Sequence, residues 1–266
     1  MDTTGIYLKL DRAKQHFDAL NAEIEAYMRR FPARCEAVPI DGIGTYSVRI
    51  GQLSPLPRDW GIKVGDCVHN ARSSLDHLVW QLVIAAGGTP GRHTEFPICT
   101  SPGRWRHEVV ETGRRASPLR GVKEEAVEAI RLAQPFIGRS VDDARLATLA
   151  GLESLAVADK HRVVHAARSF TQSDAASVHI DDRAWGYEVE FQEFLGDIEI
   201  VEGVEVGRIR MRAHPLAIAQ QVLATTTLRV TVGFVADEAA PIATMQFIAG
   251  ALNEVKTLTD HLVSLT

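Results

Sequence analysis

The segment from Val64 to Leu82 carries the pattern that most constrains the fold of this chain. Its apolar residues alternate steps of four and three, which is the spacing of an amphipathic helix that buries one stripe in a core. At about 100° per residue, a second set of side chains stacks on the opposite side. An ordinary surface helix places Lys and Glu there, whereas this segment places imidazoles, a carboxylate, a guanidinium and an indole. The core stripe is Val64, Val68, Ala71, Leu75, Leu78 and Leu82; the polar face is His69, Ser73, Asp76 and Trp80, flanked by Arg72 and His77.

Composition predicts a cytoplasmic protein with no membrane partner. Of the 266 residues, 45% are hydrophobic and 24% are charged, which is typical of globular proteins. The formal net charge of -5 does not favour a general nucleic-acid binder. The three cysteines have no CxxC spacing, which indicates a reducing compartment. The N-terminus has no secretory pattern, and no run reaches the roughly 18 apolar residues that span a bilayer.

Helical periodicity at both ends of the chain encloses a block of strands. The combination predicts an α+β fold in which a helical bundle packs on an antiparallel β-sheet, in a single domain over residues 1–266. The helical part is expected over about 1–170, the β-rich part over about 175–238, and the last helix over 241–265. The predicted helices lie near 13–31, 62–86, 123–132, 141–170 and 241–265, with a small hairpin near 38–53 and strands between 178 and 235.

A second polar cluster follows at Asp159 to His165. In the predicted helix, His161 and His165 are four residues apart and share a face. Asp159 falls on the apolar side, which suggests a buried acceptor paired with a cation. We expect the two polar faces to meet, with the histidines of the two helices within about 10 Å of each other. The candidate catalytic residues are Arg72, His77, Asp76 and His69; the candidate binding residues are Asn70, Ser73, Trp80, His161, Arg162 and His165.

Four blocks resemble a group of uncharacterised bacterial proteins. The resemblance covers about residues 60–165 and implies no activity. The blocks are His69-Asn70-x-Arg72-Ser73-x-Leu75-Asp76-His77, Phe96-Pro97-Ile98, Gln134-Pro135-Phe136 and Asp159-Lys160-His161-Arg162.

Arg72 and His77 also resemble the Arg-x4-His signature of HEPN ribonucleases and toxins. That resemblance implies an RNA endonuclease or defence protein that needs no metal or cofactor and acts on RNA as a homodimer. Arg72 would stabilise the charge of the phosphorane, and His77 would serve as general acid or base. The basic stretch from Arg92 to Lys123 would track the phosphate backbone. The chain departs from the family at Ser73, where a polar Asn, Asp or His is common.

Two other functions fit the same residues. In a non-catalytic binding or assembly module, Arg72 would pair with Asp76, His69 and His77 would donate to carbonyls, and Trp80 would fill the gap to the sheet. In a metal-dependent enzyme, the ligands would come from His and Asp side chains on facing helices. Those ligands would be His69, Asp76, His77, His161 and His165. The absence of a P-loop, a GxGxxG turn and a GxSxG elbow disfavours NTPases, nucleotide-cofactor oxidoreductases and α/β-hydrolases.

Overall fold

The chain has an α+β fold, as predicted. The computed structural model describes residues 1–41, 44–111, 116–140, 147–161, 164–170, 176–180, 187–194, 198–213, 224–228, 231–235 and 243–266. Two compact units are present: residues 1–21, 58–165 and 234–266 form the first, and residues 22–57 and 166–233 form the second. The single domain expected over residues 1–266 stays a prediction.

The helices are α1 (Thr4–Arg30), α2 (Trp60–Ala85), α3 (Pro102–Trp105), α4 (Glu124–Leu132), α5 (Thr148–His161) and α6 (Met245–Ser264), and a π-helical turn (Arg106–Val110) follows α3. The strands are β1 (Arg34–Pro39), β2 (Thr45–Ile50), β3 (His165–Phe170), β4 (Ala176–Ile180), β5 (Tyr187–Phe194), β6 (Ile198–Glu199), β7 (Glu205–Ala213), β8 (Ala224–Leu228), β9 (Thr231–Val235) and β10 (Ala243–Thr244). None of the helices in these described ranges is long and apolar enough to cross a membrane.

The core stripe of α2 is confirmed. Every residue of the stripe, from Val64 to Leu82, is at most 3% exposed. The helix begins at Trp60 and ends at Ala85, close to the predicted bounds of 62 and 86. Burying a Val or Leu side chain contributes roughly 1.5–3 kcal/mol, so this stripe fixes which side of α2 faces inward.

Helix α1 begins nine residues earlier than its strongest periodicity predicts. Ile6 and Leu10 are buried and extend the stripe toward the N-terminus, and the side chain of Asp2 accepts a hydrogen bond from the Thr4 amide at 2.9 Å. At the other end the helix stops at Arg30, just before the predicted Phe31-Pro32 boundary.

The predicted helix over 141–170 is wrong beyond His161. Helix α5 ends at that residue, and β3 begins at His165 and pairs antiparallel with β6. The two histidines therefore do not share a helical face. Val164, a β-branched residue that favours strands, lies just before β3. Residues 141–146, where the predicted helix begins, lie outside the described residues.

The second unit is built on a six-stranded sheet with the order β4-β8-β1-β2-β7-β5. Each strand pair whose register is described is antiparallel, as predicted. The hairpin β1–β2, which the sequence analysis grouped with the helical part, belongs to this sheet. Its core contains Val48, Ile50 and Ile209, and Met28 of α1 packs against that core. In this unit, then, a helix packs on the sheet.

In the first unit, three glycines bring helices into close contact. A Cβ atom at Gly61 would lie 1.8 Å from the carbonyl oxygen of Val164, and one at Gly65 would lie 2.0 Å from Oδ1 of Asp159. A Cβ atom at Gly151 would lie 2.3 Å from the Phe247 ring. Helix α2 thus packs closely against α5 and against the backbone of Val164, and α5 packs closely against α6.

Candidate functional site

Arg72 lies at the centre of a network of polar contacts. Its guanidinium donates from Nε to Glu153 Oε2 at 2.7 Å and from Nη2 to the carbonyl oxygen of Phe96 at 2.8 Å. Its Nη1 donates to Oδ1 of Asp76, one turn along α2. The Arg72 side chain is only 11% exposed. One guanidinium therefore ties α2 to α5 and to the segment around Phe96.

The carboxylates around Arg72 keep it charged. Burial of the guanidinium acts to lower the pKa of Arg72, but the nearby charges of Asp76 and Glu153 outweigh burial and raise this pKa above its ordinary value. A buried cation is tolerated in a protein when carboxylates pair with it in this way.

Asp76 and Arg72 together bind both backbone polar groups of Phe96. The Oδ1 atom of Asp76 accepts a hydrogen bond from the Phe96 amide at 2.9 Å, while Arg72 donates to the carbonyl of the same residue. The Phe96 side chain is fully buried. A buried segment outside helices and strands needs hydrogen-bond partners for its backbone groups. The Arg72–Asp76 pair supplies a partner for the amide and for the carbonyl of Phe96.

Gln134 holds the same segment at two further points. Its Oε1 accepts from the Cys99 amide at 2.8 Å, and its Nε2 donates to the carbonyl oxygens of Pro97 and Ile130, both at 3.0 Å. Gln134 is 1% exposed. We call Arg72, Asp76, Glu153 and Gln134, which together hold residues 96–99, the Phe96 clamp. Three of the four sequence blocks thus meet in one hydrogen-bonded network.

The buried cysteines are not activated as nucleophiles. Burial, followed by the charge of Glu108, raises the pKa of the Cys99 thiol to about 12. The Sγ atom of Cys99 donates to Glu108 Oε2 at 3.7 Å. Burial likewise raises the pKa of the Cys67 thiol to about 12. Since the thiolate is the reactive form, both residues act as core side chains at neutral pH.

The other candidate residues of α2 point away from the core. His69, His77 and Trp80 are exposed, and Ser73 is half-buried. The prediction that Trp80 fills a gap to the sheet is wrong, because its side chain is 44% exposed. The side-chain amide of Asn70 donates to the Asp66 carbonyl at 2.8 Å. The outer face of α2 consists of Ile62, Asp66, His69, Ser73, His77, Trp80 and Ile84.

Arg72 and His77 lie on different sides of α2. Five helical residues correspond to a rotation of about 140°, so the two side chains diverge. Arg72 contacts α5 and the Phe96 segment, whereas His77 lies beside α1, where a Cβ atom at Gly5 would be 3.5 Å from its Nδ1. Within one chain, the two residues do not converge on a common point.

The second polar cluster is described only in part. His161 is the last residue of α5 and His165 is the first of β3, but their side chains and all of Arg162 lie outside the described residues. Their approach to the histidines of α2 stays a prediction. Asp159 is half-buried, and its carboxylate lies over Gly65.

No metal centre is present among the described residues: no group of three or more His, Cys, Asp or Glu side chains is arranged to hold an ion.

In the basic stretch, Arg104 pairs with Glu108 at 2.6 Å, and Arg106 and His107 are exposed. Arg114 and Arg115 lie outside the described residues.

The sequence analysis missed two members of the clamp. Glu153 lies 81 positions from Arg72, and Gln134 lies 35 positions from Cys99. A signal for Gln134 was present, since an amide beside the apolar residues Leu132 and Phe136 is a group that must find partners if it is buried. No comparable local signal marks Glu153.

We compared the chain with known protein families, curated proteins and solved structures, and none of them matches it.

Proposed function

We propose that the chain is a non-catalytic assembly module, in which the Phe96 clamp is structural and the outer face of α2 binds a second copy of the chain. The observation that carries the proposal is the engagement of Arg72 by two carboxylates and a backbone carbonyl. An arginine that binds phosphate presents its donors to a cleft. Here Nε, Nη1 and Nη2 each donate within the protein, and little of the side chain is exposed.

The outer face of α2 has the composition of an interface. Ile62 is 62% exposed, Trp80 is 44% exposed and Ile84 is 45% exposed. Tryptophan and large aliphatic side chains that gather on one face mark interaction sites more often than solvated surfaces. The face begins at Ile62 and ends at Ile84, so it runs for about 33 Å along the helix.

The spacing of this face suits a two-fold pair. Positions 62, 66 and 69 lie 11, 7 and 4 residues before Ser73. Positions 84, 80 and 77 lie 11, 7 and 4 residues after it. In an antiparallel pair that crosses at Ser73, Ile62 of each copy meets Ile84 of the other. His69 likewise meets His77 of the other copy. A two-fold interface needs this reciprocity, and a small residue at the crossing lets two helices approach closely.

Sedimentation equilibrium tests this assembly. The wild-type chain should form dimers, and Trp80→Glu should be monomeric, because position 80 faces Asp66 of the other copy in this register and the change places two carboxylates opposite each other. Leu132→Glu is the matched control, since Leu132 on α4 is 55% exposed and lies outside this face. A wild-type chain that stays monomeric at its highest soluble concentration contradicts the proposal.

The exposure of His77 favours a second candidate, an RNA endonuclease of HEPN type. His69 and His77 are open on the outer face of α2, where a dimer would bring together the residues of two chains. For this candidate, the purified chain cuts single-stranded RNA in excess EDTA and leaves 2′,3′-cyclic phosphate ends. His77→Ala loses cleavage, and His261→Ala, a change at an exposed histidine of α6 outside the basic stretch, keeps it. The absence of cleavage excludes this candidate.

A further inference from the structure

A groove lies between α1 and α6, and no residue of the Phe96 clamp lines it. Its floor is apolar and includes Leu10 and Phe17 of α1 and Leu252 of α6, and its volume is about 310 Å³. Small-molecule sites in proteins occupy about 300–1,000 Å³, are mostly apolar and carry a few polar groups that set orientation. The groove therefore has the size and the lining of a site for a small ligand with an apolar part.

Two lysines line the groove, and each is already bound by a carboxylate on its own helix. The Nζ atom of Lys14 donates to both carboxylate oxygens of Asp18, at 2.8 and 2.6 Å. The Nζ atom of Lys256 donates to Oδ2 of Asp260 at 2.6 Å, and the Tyr7 hydroxyl donates to Oδ1 of the same residue at 2.8 Å. The hydrogen bond from Lys256, followed by that from Tyr7, lowers the pKa of Asp260 and keeps its carboxylate charged. The charge of each lysine is therefore balanced by its own aspartate.

The two ion pairs lie toward opposite ends of the groove. Asp260 contacts Tyr7, whereas Asp18 lies eleven residues further along α1, which corresponds to about 16 Å along the helix axis. The two ammonium groups are therefore drawn to separate points. Asp11 lies between these two positions of α1 and also lines the groove.

Asp11 is the charged side chain of the lining that has no partner. It is exposed, and its carboxylate forms no hydrogen bond or ion pair within the described part of the chain. The charged lining residues and their ion-pair partners comprise three aspartates and two lysines, which leaves a net charge of -1. The groove therefore favours a cation over an anion.

We propose that the groove binds a small primary amine with an aliphatic tail, with the tail on the apolar floor and the ammonium group at Asp11. The tail supplies most of the affinity, because an exposed ion pair adds little. Asp11 and the net negative charge around it select the sign of the head group. The proposal does not rest on the assembly through α2, since no residue of α2 lines the groove.

Calorimetric titration of the full chain at pH 7 with three eight-carbon probes tests the proposal. Octylamine, which is protonated at this pH as lysine is, should bind saturably. Octanol should bind more weakly, and octanoate, which has the same tail and the opposite charge, should bind weakest. An affinity for octanol or octanoate that equals or exceeds the affinity for octylamine overturns the proposal, because a cation is then not selected. The absence of saturable binding by octylamine also overturns it.

Two variants locate the site. Asp11→Asn keeps the shape of the side chain and should weaken octylamine binding about threefold, as expected for one exposed ion pair, while octanol binding stays unchanged. Glu125→Gln, a change at an exposed carboxylate of α4 outside the groove, should leave octylamine binding unchanged. Ala249→Trp places an indole in the groove and should abolish the binding of all three probes; its melting curve without ligand checks that it folds. Octylamine affinity that is unchanged in either Asp11→Asn or Ala249→Trp overturns the proposal.

Discussion

At the scale of single residues, the polar side chains of α2 form two groups that point in different directions. Arg72 and Asp76 turn toward the Phe96 segment and satisfy its backbone, whereas His69, His77 and Trp80 stay on the outside. The sequence pattern places both groups on or beside the same polar face, so it does not separate them. A rotation of about 140° around the helix separates the residue that serves packing from the histidine that stays available to a partner.

Gln134 gives the sharpest test of the clamp at this scale. Gln134→Leu keeps a similar volume but removes three hydrogen bonds and leaves the Cys99 amide and two carbonyls without this partner. A buried polar group left without a partner costs about 1–3 kcal/mol, so we expect the free energy of unfolding in urea to fall by about 3 kcal/mol. Gln52→Leu, at an exposed position, should change it by less than about 0.5 kcal/mol. Equal stability of the two variants contradicts a structural role for Gln134.

At the scale of elements, sequence patterns predict the packing of single helices better than the contacts between them. The stripe of α2 follows from its four-three spacing alone, because burial of one face is a local property of a helix. The end of α5 at His161 and the start of β3 were not predictable in this way, since strand pairing with β6 decides them. The contact of Arg72 with Glu153 was not predictable either, because it joins two helices through residues that are 81 positions apart in the sequence.

Gly61 tests the packing of α2 on the backbone just before β3. Gly61→Ala adds a Cβ atom only 1.8 Å from the carbonyl oxygen of Val164, and because that atom is backbone, one of the two segments must shift. Overpacking of this kind costs about 1–3 kcal/mol, which exceeds the gain of up to about 1 kcal/mol in helix propensity. We expect a lower melting temperature by calorimetry. Gly103→Ala, in α3 with no atom within 4 Å of the new Cβ, should melt at or slightly above the wild-type temperature. A Gly61→Ala variant that is as stable as the wild type contradicts this packing.

At the scale of the whole molecule, the three cysteines report on the two compact units. Cys35 belongs to one unit, and Cys67 and Cys99 belong to the other. Burial is the largest cause that raises the pKa of each thiol to about 12. Because the thiolate is the reactive form, alkylation at pH 8 should be slow until a unit opens.

Alkylation followed by mass spectrometry then shows where a defect acts. Arg72→Ala should speed the labelling of Cys67 and Cys99, which lie in the same unit as the clamp, and leave Cys35 at the wild-type rate. An equal acceleration at all three cysteines contradicts the view that the clamp stabilises one unit.

The most direct measurement of the central claim is urea unfolding of Arg72→Ala beside Arg106→Ala, a matched change at an exposed arginine. Removing one partner of a buried ionic network leaves Asp76 and Glu153 uncompensated, so we predict that Arg72→Ala loses about 3 kcal/mol of unfolding free energy. Arg106→Ala should stay within about 0.5 kcal/mol of the wild type. If Arg72→Ala instead unfolds at the wild-type urea concentration while an RNA-cleaving activity disappears, Arg72 is a catalytic residue and the structural account of the clamp is wrong.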